Sequence, residues 1–508
     1  MKRAISTLNR PRAGRPLAFY VLLGSLIAAP ASADMEATIR QLRDEVEALR
    51  QELRETRREM SLGKAEAAEE TERRARAAKS ELRGAHKDGF GFTTGDGQHS
   101  IRLTGRVHTD YRWINDIPLS ARDRADADTA SAADGFELRR ARLGFSGYLY
   151  RDIAFELHFN SSGGSVGVEQ AAVNLGWYKP VQLRLGRFKQ PFGLEQLVSA
   201  SAIDFMERSY NDALAPGRKL GVMLHGEPLK GLTYAASVFQ DGSSEATAAD
   251  GDDKRYALRA TANLAQLSSM PDSVLHLGVA HVGGDYTLAV SEADTTLIGM
   301  RTLNRGLSNV YRAQLGTTAG FGADVAQSMY GAELALAHGP WKLQAEYLSA
   351  NYDAVGRSGL DGSALSSLRG GVSAYYASTL WNITGERWAD AYSGGVFRAL
   401  SPQRPFQPGA GWGAWQLGAR YARFDASDLR AGGSARIVSG SAVDDFNDTL
   451  DSWSLGLNWI PNPATRLLME YTRTRFGSLT LPAGLVDTLQ SRGIRHEDVF
   501  SLRAELKF

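Results

Sequence analysis

From about residue 100 to its end the chain alternates apolar and polar positions with a period of two. In residues 100–113, Ile101, Leu103, Val107, Tyr111 and Trp113 share one face, and Arg102, Thr104, Arg106, His108, Asp110 and Arg112 share the other. Ile153, Phe155, Leu157 and Phe159 oppose Glu156, His158 and Asn160, and Val173, Leu175 and Trp177 oppose Asn174 and Tyr178. Late in the chain, Trp453, Leu455, Leu457 and Trp459 oppose Ser454 and Asn458. A soluble sandwich would bury its apolar faces against a second sheet and rarely needs so many long strands. Apolar towards lipid and polar towards a wet interior is the pattern of a transmembrane β-barrel.

Connection lengths point the same way. Tight connections at Tyr150-Arg151-Asp152, Lys179-Pro180, His338-Gly339-Pro340 and Pro461-Asn462-Pro463 alternate with long polar ones near 114–134, 188–218, 240–252, 284–324, 352–370, 425–449 and 477–496. Short turns at one end and long loops at the other are the habit of outer-membrane barrels. The predicted fold is therefore all-β, a transmembrane antiparallel β-barrel of about 16 strands, covering 89–508. The connection over 383–412 is too long for a turn and is expected to hide a further hairpin. The chain closes on Phe500, Leu502, Ala504, Leu506 and Phe508, alternating with Ser501, Arg503, Glu505 and Lys507. A terminal aromatic on such a strand resembles the signal read by the outer-membrane barrel assembly machinery, so that machinery is an expected partner, with outer-membrane lipid and lipopolysaccharide around the barrel.

Before the barrel the period is helical. Residues 34–83 contain no proline, and Ile39, Leu42, Val46, Leu49, Leu53, Thr56 and Met60 fall at spacings of 3, 4, 3, 4, 3 and 4. That narrow seam predicts a coiled-coil helix, assigned here to 34–88 and to the periplasm, rather than one helix lying on a partner. Further upstream, Lys2, Arg3, Arg10, Arg12 and Arg15 precede an apolar run from Leu17 to Ala29 and the small-residue site Ala31-Ser32-Ala33. Residues 1–33 read as a signal peptide. The run is too short for a bilayer core that needs about 20 residues.

Charge changes the picture only when it is placed. The whole chain carries a net +1, but the first 33 residues hold five basic and no acidic residues, so the remainder has 53 basic against 57 acidic. A preference for anions must then come from where the arginines sit. Strand parity puts Arg102, Arg106 and Arg112 (first strand), Arg140 and Arg142 (second), Arg184 (fifth), and Arg255 and Arg259 (eighth) in the lumen. A guanidinium keeps its charge and offers a planar fork suited to phosphate or carboxylate. The competing reading pairs these arginines with Asp110, Glu137 and Glu156 in wall networks. Acidic runs at Asp241, Glu245, Asp250, Asp252 and Asp253, and at Asp444, Asp445, Asp448 and Asp451, lack calcium-loop spacing and are read as solvated outer charge. With no cysteine, thiolate metal sites and disulfides are excluded. No nucleophile elbow or phosphate-cradling glycine loop is found, so no enzyme activity, cofactor, metal or nucleic-acid partner is expected.

Several blocks together carry a resemblance. Gly186-Arg187-Phe188-Lys189-Gln190-Pro191-Phe192-Gly193-Leu194-Glu195 is followed by Phe205-Met206-Glu207-Arg208-Ser209 and Pro216-Gly217-Arg218-Lys219-Leu220-Gly221. Leu138-Arg139-Arg140-Ala141-Arg142-Leu143, Gly339-Pro340-Trp341, Gly411-Trp412-Gly413-Ala414-Trp415 and Leu457-Asn458-Trp459 follow the same order. These resemble the phosphate-selective porin O/P family over most of 136–508. The resemblance implies a homotrimeric, 16-stranded outer-membrane channel whose third long loop, 188–218, folds inward as the constriction. It also implies passive uptake of small anionic solutes such as phosphate or polyphosphate. The carry-over falls on Arg139, Arg140, Arg142, Lys189, Arg208 and Arg218, although strand parity leaves Arg139 outside the lumen. With the parity-derived Arg102, Arg106 and Arg184 these make up the expected pore-lining set. The rival expectation is a structural anchor that tethers the envelope through its coiled coil around a non-selective pore.

Overall fold

The computed structural model describes residues 32–86, 89–114, 134–241, 253–288, 294–305, 310–317, 322–358, 363–438, 448–477 and 496–508. Nearly all of the expected signal peptide lies outside them, as do Glu245, Asp250, Asp252, Asp444 and Asp445. The chain divides into two units, residues 1–77 and 78–508.

The first unit is helical. Helix α1 runs Ser32–Ser80, and the seam residues from Ile39 to Met60 are exposed along it. No described helix is long and apolar enough to cross a membrane. The helix stops short of the expected boundary, because Leu82–His86 is a strand that pairs antiparallel with Phe90–Thr94. Gly89 makes this possible. Its φ is +127°, and a Cβ there would stand 2.4 Å from the carbonyl oxygen of Leu103.

In the second unit, sixteen strands form the closed barrel. They are β1 (Ser100–Ile114), β2 (Gly135–Leu149), β3 (Ile153–Asn160), β4 (Gly167–Tyr178), β5 (Val181–Lys189), β6 (Arg218–Leu229), β7 (Leu232–Gln240) and β8 (Lys254–Asn263). They continue as β9 (Ser273–Leu288), β10 (Ala323–His338), β11 (Trp341–Arg357), β12 (Ala364–Asn382), β13 (Ala414–Asp425), β14 (Thr449–Asn462), β15 (Thr465–Phe476) and β16 (His496–Lys507). Each strand pairs antiparallel with the next, and β16 closes on β1 from Val499↔Ile114 to Lys507↔Arg106. Closure leaves no barrel edge to be satisfied by lipid. Below that point the chain end gives way to the hairpin, whose Phe90 pairs with Leu103 of β1. Phe508 seats its ring over Gly105. The expected strand number is confirmed, with apolar side chains outward (Trp113 62% exposed, Phe136 81%) and Arg420, Glu470, Thr472 and Ser454 turned in and buried.

Parity fails at one place that matters. β1 and β2 pair His108↔Arg140 and then Thr109↔Leu138, so Arg139 is an extra residue, a β-bulge. The bulge points Arg139 and Arg140 both inward, correcting the expectation that Arg139 lies outside the lumen.

The interior is more filled than the pattern suggested. β9 to β12 are 16 to 19 residues long, whereas a tilted membrane strand needs about 9–11. Their upper ends enclose a hairpin of Asp294–Met300 and Tyr311–Gly316, joined by Arg436–Val438. Ile298, Met300, Tyr311 and Leu315 of this insert are buried in one apolar cluster with Val325, Leu348, Leu368 and Phe424 of the wall. The expected polar loop over 284–324 is thus partly an apolar plug. At its tip Asn304 donates to Thr472 Oγ1 at 2.9 Å, and Arg305 lies 3.3 Å from Glu137. At the short-turn end, residues 383–413 contain the expected hairpin, but it is only Tyr392–Ser393 with Val396–Phe397. It enters the lumen instead of adding to the wall. Lys342 Nζ lies 4.0 and 4.5 Å from the ring centres of Trp388 and Phe397.

Candidate functional site

The loop between β5 and β6 crosses the lumen, as expected, and the opposite wall holds it through its backbone. Glu346 on β11 accepts from the amides of Leu194 and Glu195 at 2.7 Å each. Glu470 on β15 accepts from Met206 N at 2.7 Å. Arg466 donates to Ile203 O and Arg420 to Glu207 O, both at 2.8 Å. Lys342 meets Asp204 at 2.6 Å, and Tyr210 shares a 2.6 Å bond with Ser452. Phe205 fills the space over Gly418 and Gly456, where a Cβ would stand 3.3–3.4 Å from its ring. The Arg420 guanidinium lies 4.4 Å from the same ring. The segment stays inside the barrel because its buried Phe192, Leu194, Phe205, Tyr210 and Leu214 join the apolar clusters of the wall while these backbone groups find wall partners.

Glu207 is the electrostatic centre of this anchorage. Arg139 reaches it at 2.7 and 3.0 Å, Arg503 at 2.8 Å and Arg140 at 3.8 Å. Burial pushes its carboxyl up, but those guanidinium groups outweigh burial and hold it well below the usual carboxylate range. Arg503 also binds Asp110 through two 2.7 Å bonds.

The loop divides the lumen unevenly. Against β10 to β16 it is packed tight. Against β1 to β7 it leaves a cavity of ≈ 920 Å³ opening towards the short-turn end. Six of the eight expected residues line it: Arg102, Arg106, Arg142, Arg184, Lys189 and Arg218. Arg106 donates to Ser199 of the loop at 3.0 Å. Arg142 and Arg218 both face Glu169, at 2.6 and 2.9 Å, and Arg184 faces Glu156 at 2.8 Å. Lys189 donates to the carbonyls of Gln196 and Val198. Arg102 has no ion pair among the described residues.

The other two, Arg140 and Arg208, do not line the cavity. Arg140 is buried behind the loop with its Nη1 3.3 Å from His108. Arg208 is used internally, donating to Glu195 O at 2.9 Å and Val198 O at 2.8 Å. Arg112 is likewise tied to Asp110 and Glu137, and Arg255 to Asp241, whereas Arg259 lines the cavity although it pairs with Glu333. Asp241 is therefore a half-buried counter-charge and not solvated outer charge, since Lys219 faces it too. Cavity residues that sequence reasoning missed are Lys179 in a turn, Arg398 in the 383–413 segment and Lys507 on β16. Lys507 alternates inward on a recognised strand, so its signal was present. Arg398 sits in an irregular segment without periodicity and gave none.

The cavity wall carries ten Lys and Arg side chains against three Glu, at positions 156, 169 and 227. The chain beyond residue 33 has more acidic than basic residues. The imbalance is therefore local to this wall, where clustered cations raise the concentration of anions.

A family model described as phosphate-selective porin O and P matches residues 101–508. Porin O of Pseudomonas aeruginosa is 27% identical over 413 residues, covering 78% of this chain and 87% of that protein. A protein of Caulobacter vibrioides described as uncharacterized is 28% identical over 389 residues, covering 75% of this chain and 69% of the other. Among solved structures, a loop-deletion mutant of OmpT, an outer membrane protein of Vibrio cholerae, aligns with TM-score 0.45 and 11% identity over 81% of this chain and 100% of that one.

Proposed function

This chain belongs to the phosphate-selective porin O and P family, and from that premise we propose that its outer-membrane pore passes small anions, phosphate or polyphosphate among them, in preference to cations. The observation that carries the reading is the excess of ten cationic over three acidic side chains around the cavity beside the constriction loop. Arginine forks match a phosphate's oxygens. Several forks in series, with Arg142, Arg184 and Arg218 partly neutralised by Glu156 or Glu169, give sites from which an anion can also leave, as conduction requires. In this reading Arg102, Arg106, Arg142, Arg184, Lys189 and Arg218 touch the passing ion, while Arg140 and Arg208 hold the loop that narrows its path. The barrel functions as a homotrimer, and α1, after removal of the signal peptide, is a coiled coil in the periplasm.

Purified protein in planar bilayers under a potassium chloride gradient tests the reading. A reversal potential on the chloride side, with chloride current blocked by added phosphate, is expected. A potassium-side potential without phosphate block refutes anion preference. One observation favours a second role as an envelope anchor, namely the apolar seam exposed along α1. Deleting residues 34–88 separates the roles, because an anchor loses envelope integrity while a channel keeps solute uptake.

A further inference from the structure

The charged positions flanking the α1 seam carry more information than the seam. With Ile39, Val46, Leu53 and Met60 at heptad position a and Leu42, Leu49 and Thr56 at d, the residues just before each a (position g) from the second heptad onward are Glu45, Glu52 and Glu59. Those just after each d (position e) are Arg43, Arg50 and Arg57, continued by Lys64. All the charged g residues are acidic and all these e residues are basic.

We infer that α1 pairs with α1 of a second copy of this chain, parallel and in register, through Glu45–Arg50, Glu52–Arg57 and Glu59–Lys64 contacts between copies. In a parallel coiled coil a g residue faces the e residue of the next heptad on its neighbour, five positions on, so all three contacts join opposite charges. In an antiparallel pair g faces g and e faces e, so glutamates meet glutamates and arginines meet arginines. Sliding by one heptad keeps some charge pairs but sets Thr56 against Leu49 and Gly63 against Thr56. Among the described residues these groups make no ion pair within the monomer. The intrahelical ion pairs among the described residues are Glu36–Arg40, Glu70–Arg74 and Glu72–Arg76, all outside the seam. The seam itself lies open, with Leu49 61% and Leu53 54% exposed. It spans about 32 Å at ~1.5 Å per residue, long enough for three successive charge pairs.

The inference rests on the reading of α1 as a coiled coil and adds its partner, direction and register. Because the chain has no cysteine, single cysteines report cleanly. Full-length Leu42→Cys and Met60→Cys, one at d and one at a, are each oxidised in detergent or lipid and run without reductant. Parallel, in-register pairing makes both variants cross-link to themselves, while a mixture of the two gives no hybrid product. A hybrid product without self-linking at both sites overturns the direction yet leaves a coiled coil. No product at either site, with helicity intact by circular dichroism, overturns the pairing and the coiled coil together. Charge supplies the second arm: E45R/E52R/E59R is expected to lose the cross-link, and adding R50E/R57E/K64E to restore it. Undiminished cross-linking in the first of these contradicts the charge-set register.

Discussion

Two walls of one barrel use the same residue for different ends. On β1 to β6, Arg102, Arg106, Arg142, Arg184 and Arg218 stand around an open cavity. On β13 to β16, Arg420, Arg466 and Arg503 are equally inward but buried, Arg420 and Arg503 to 2% exposure, and spend their donors on loop carbonyls and carboxylates. Strand parity makes no distinction between the two sets. What separates them is the constriction loop, which lies on one wall and leaves the other wet. A lumenal arginine is a pore residue where it still borders the open cavity, even when one of its donors is shared with Glu156, Glu169 or Ser199.

The sharpest way to break this contrast is to remove Arg503. Arg503→Leu leaves Asp110 and Glu207 short of a buried partner, and losing one side of a buried ion network costs about 3 kcal/mol. The urea midpoint of the refolded barrel should drop accordingly, while a wild-type midpoint would show that the late wall is not what holds the loop. Neutralising the early wall should leave that midpoint within error. Arg142→Gln with Arg218→Gln instead changes permeation. A unit charge about 4 Å from an ion is worth ~1 kcal/mol in water, so a roughly fivefold fall in chloride-to-potassium permeability per charge removed is expected. Glu169→Gln acts in the opposite sense on the same cluster. Freed of its internal carboxylate, the Arg142–Arg218 pair should hold phosphate more tightly, read as a roughly threefold to fivefold lower phosphate concentration for half block. The smallest effect is that of acid. Because the Glu207 carboxyl sits well below its ordinary value in the folded chain, its contribution to anchoring is complete above the unfolded carboxylate range, near 4.3. That contribution is lost only as pH falls through the depressed value. Conductance steps should then keep their size from pH 7 to about pH 5, and a change within that window would count against Glu207 as the ionised anchor.

How far the sequence carried differs between these walls for the same reason. Strand number, lipid face, chain closure and the inward loop were legible, because period-two alternation and loop length are set by the bilayer itself. Arg142, Arg184 and Arg218 were legible as cavity residues, since position on a strand or in a motif sufficed. Arg139 was misplaced because a β-bulge leaves no mark on composition. Arg140 and Arg208 were expected in the pore but serve the loop, and Asp241 was expected in solvent but neutralises Arg255. Each of these depends on a tertiary contact, Arg140 with His108 across 32 residues, Arg208 inside the inward loop and Asp241 with Arg255 of the next strand, which period-two alternation does not encode. The apolar plug gave a usable signal in Leu297, Ile298, Met300 and Tyr311, which a polar extracellular loop has little reason to carry.

The most direct test of the account is the reversal potential of R142Q/R184Q/R218Q beside that of the wild type, in the same salt gradient and with the urea midpoint measured on both. The account predicts a shift from the chloride side towards or past zero with an unchanged midpoint. An unshifted potential at normal stability would contradict it, placing selectivity somewhere other than the open wall.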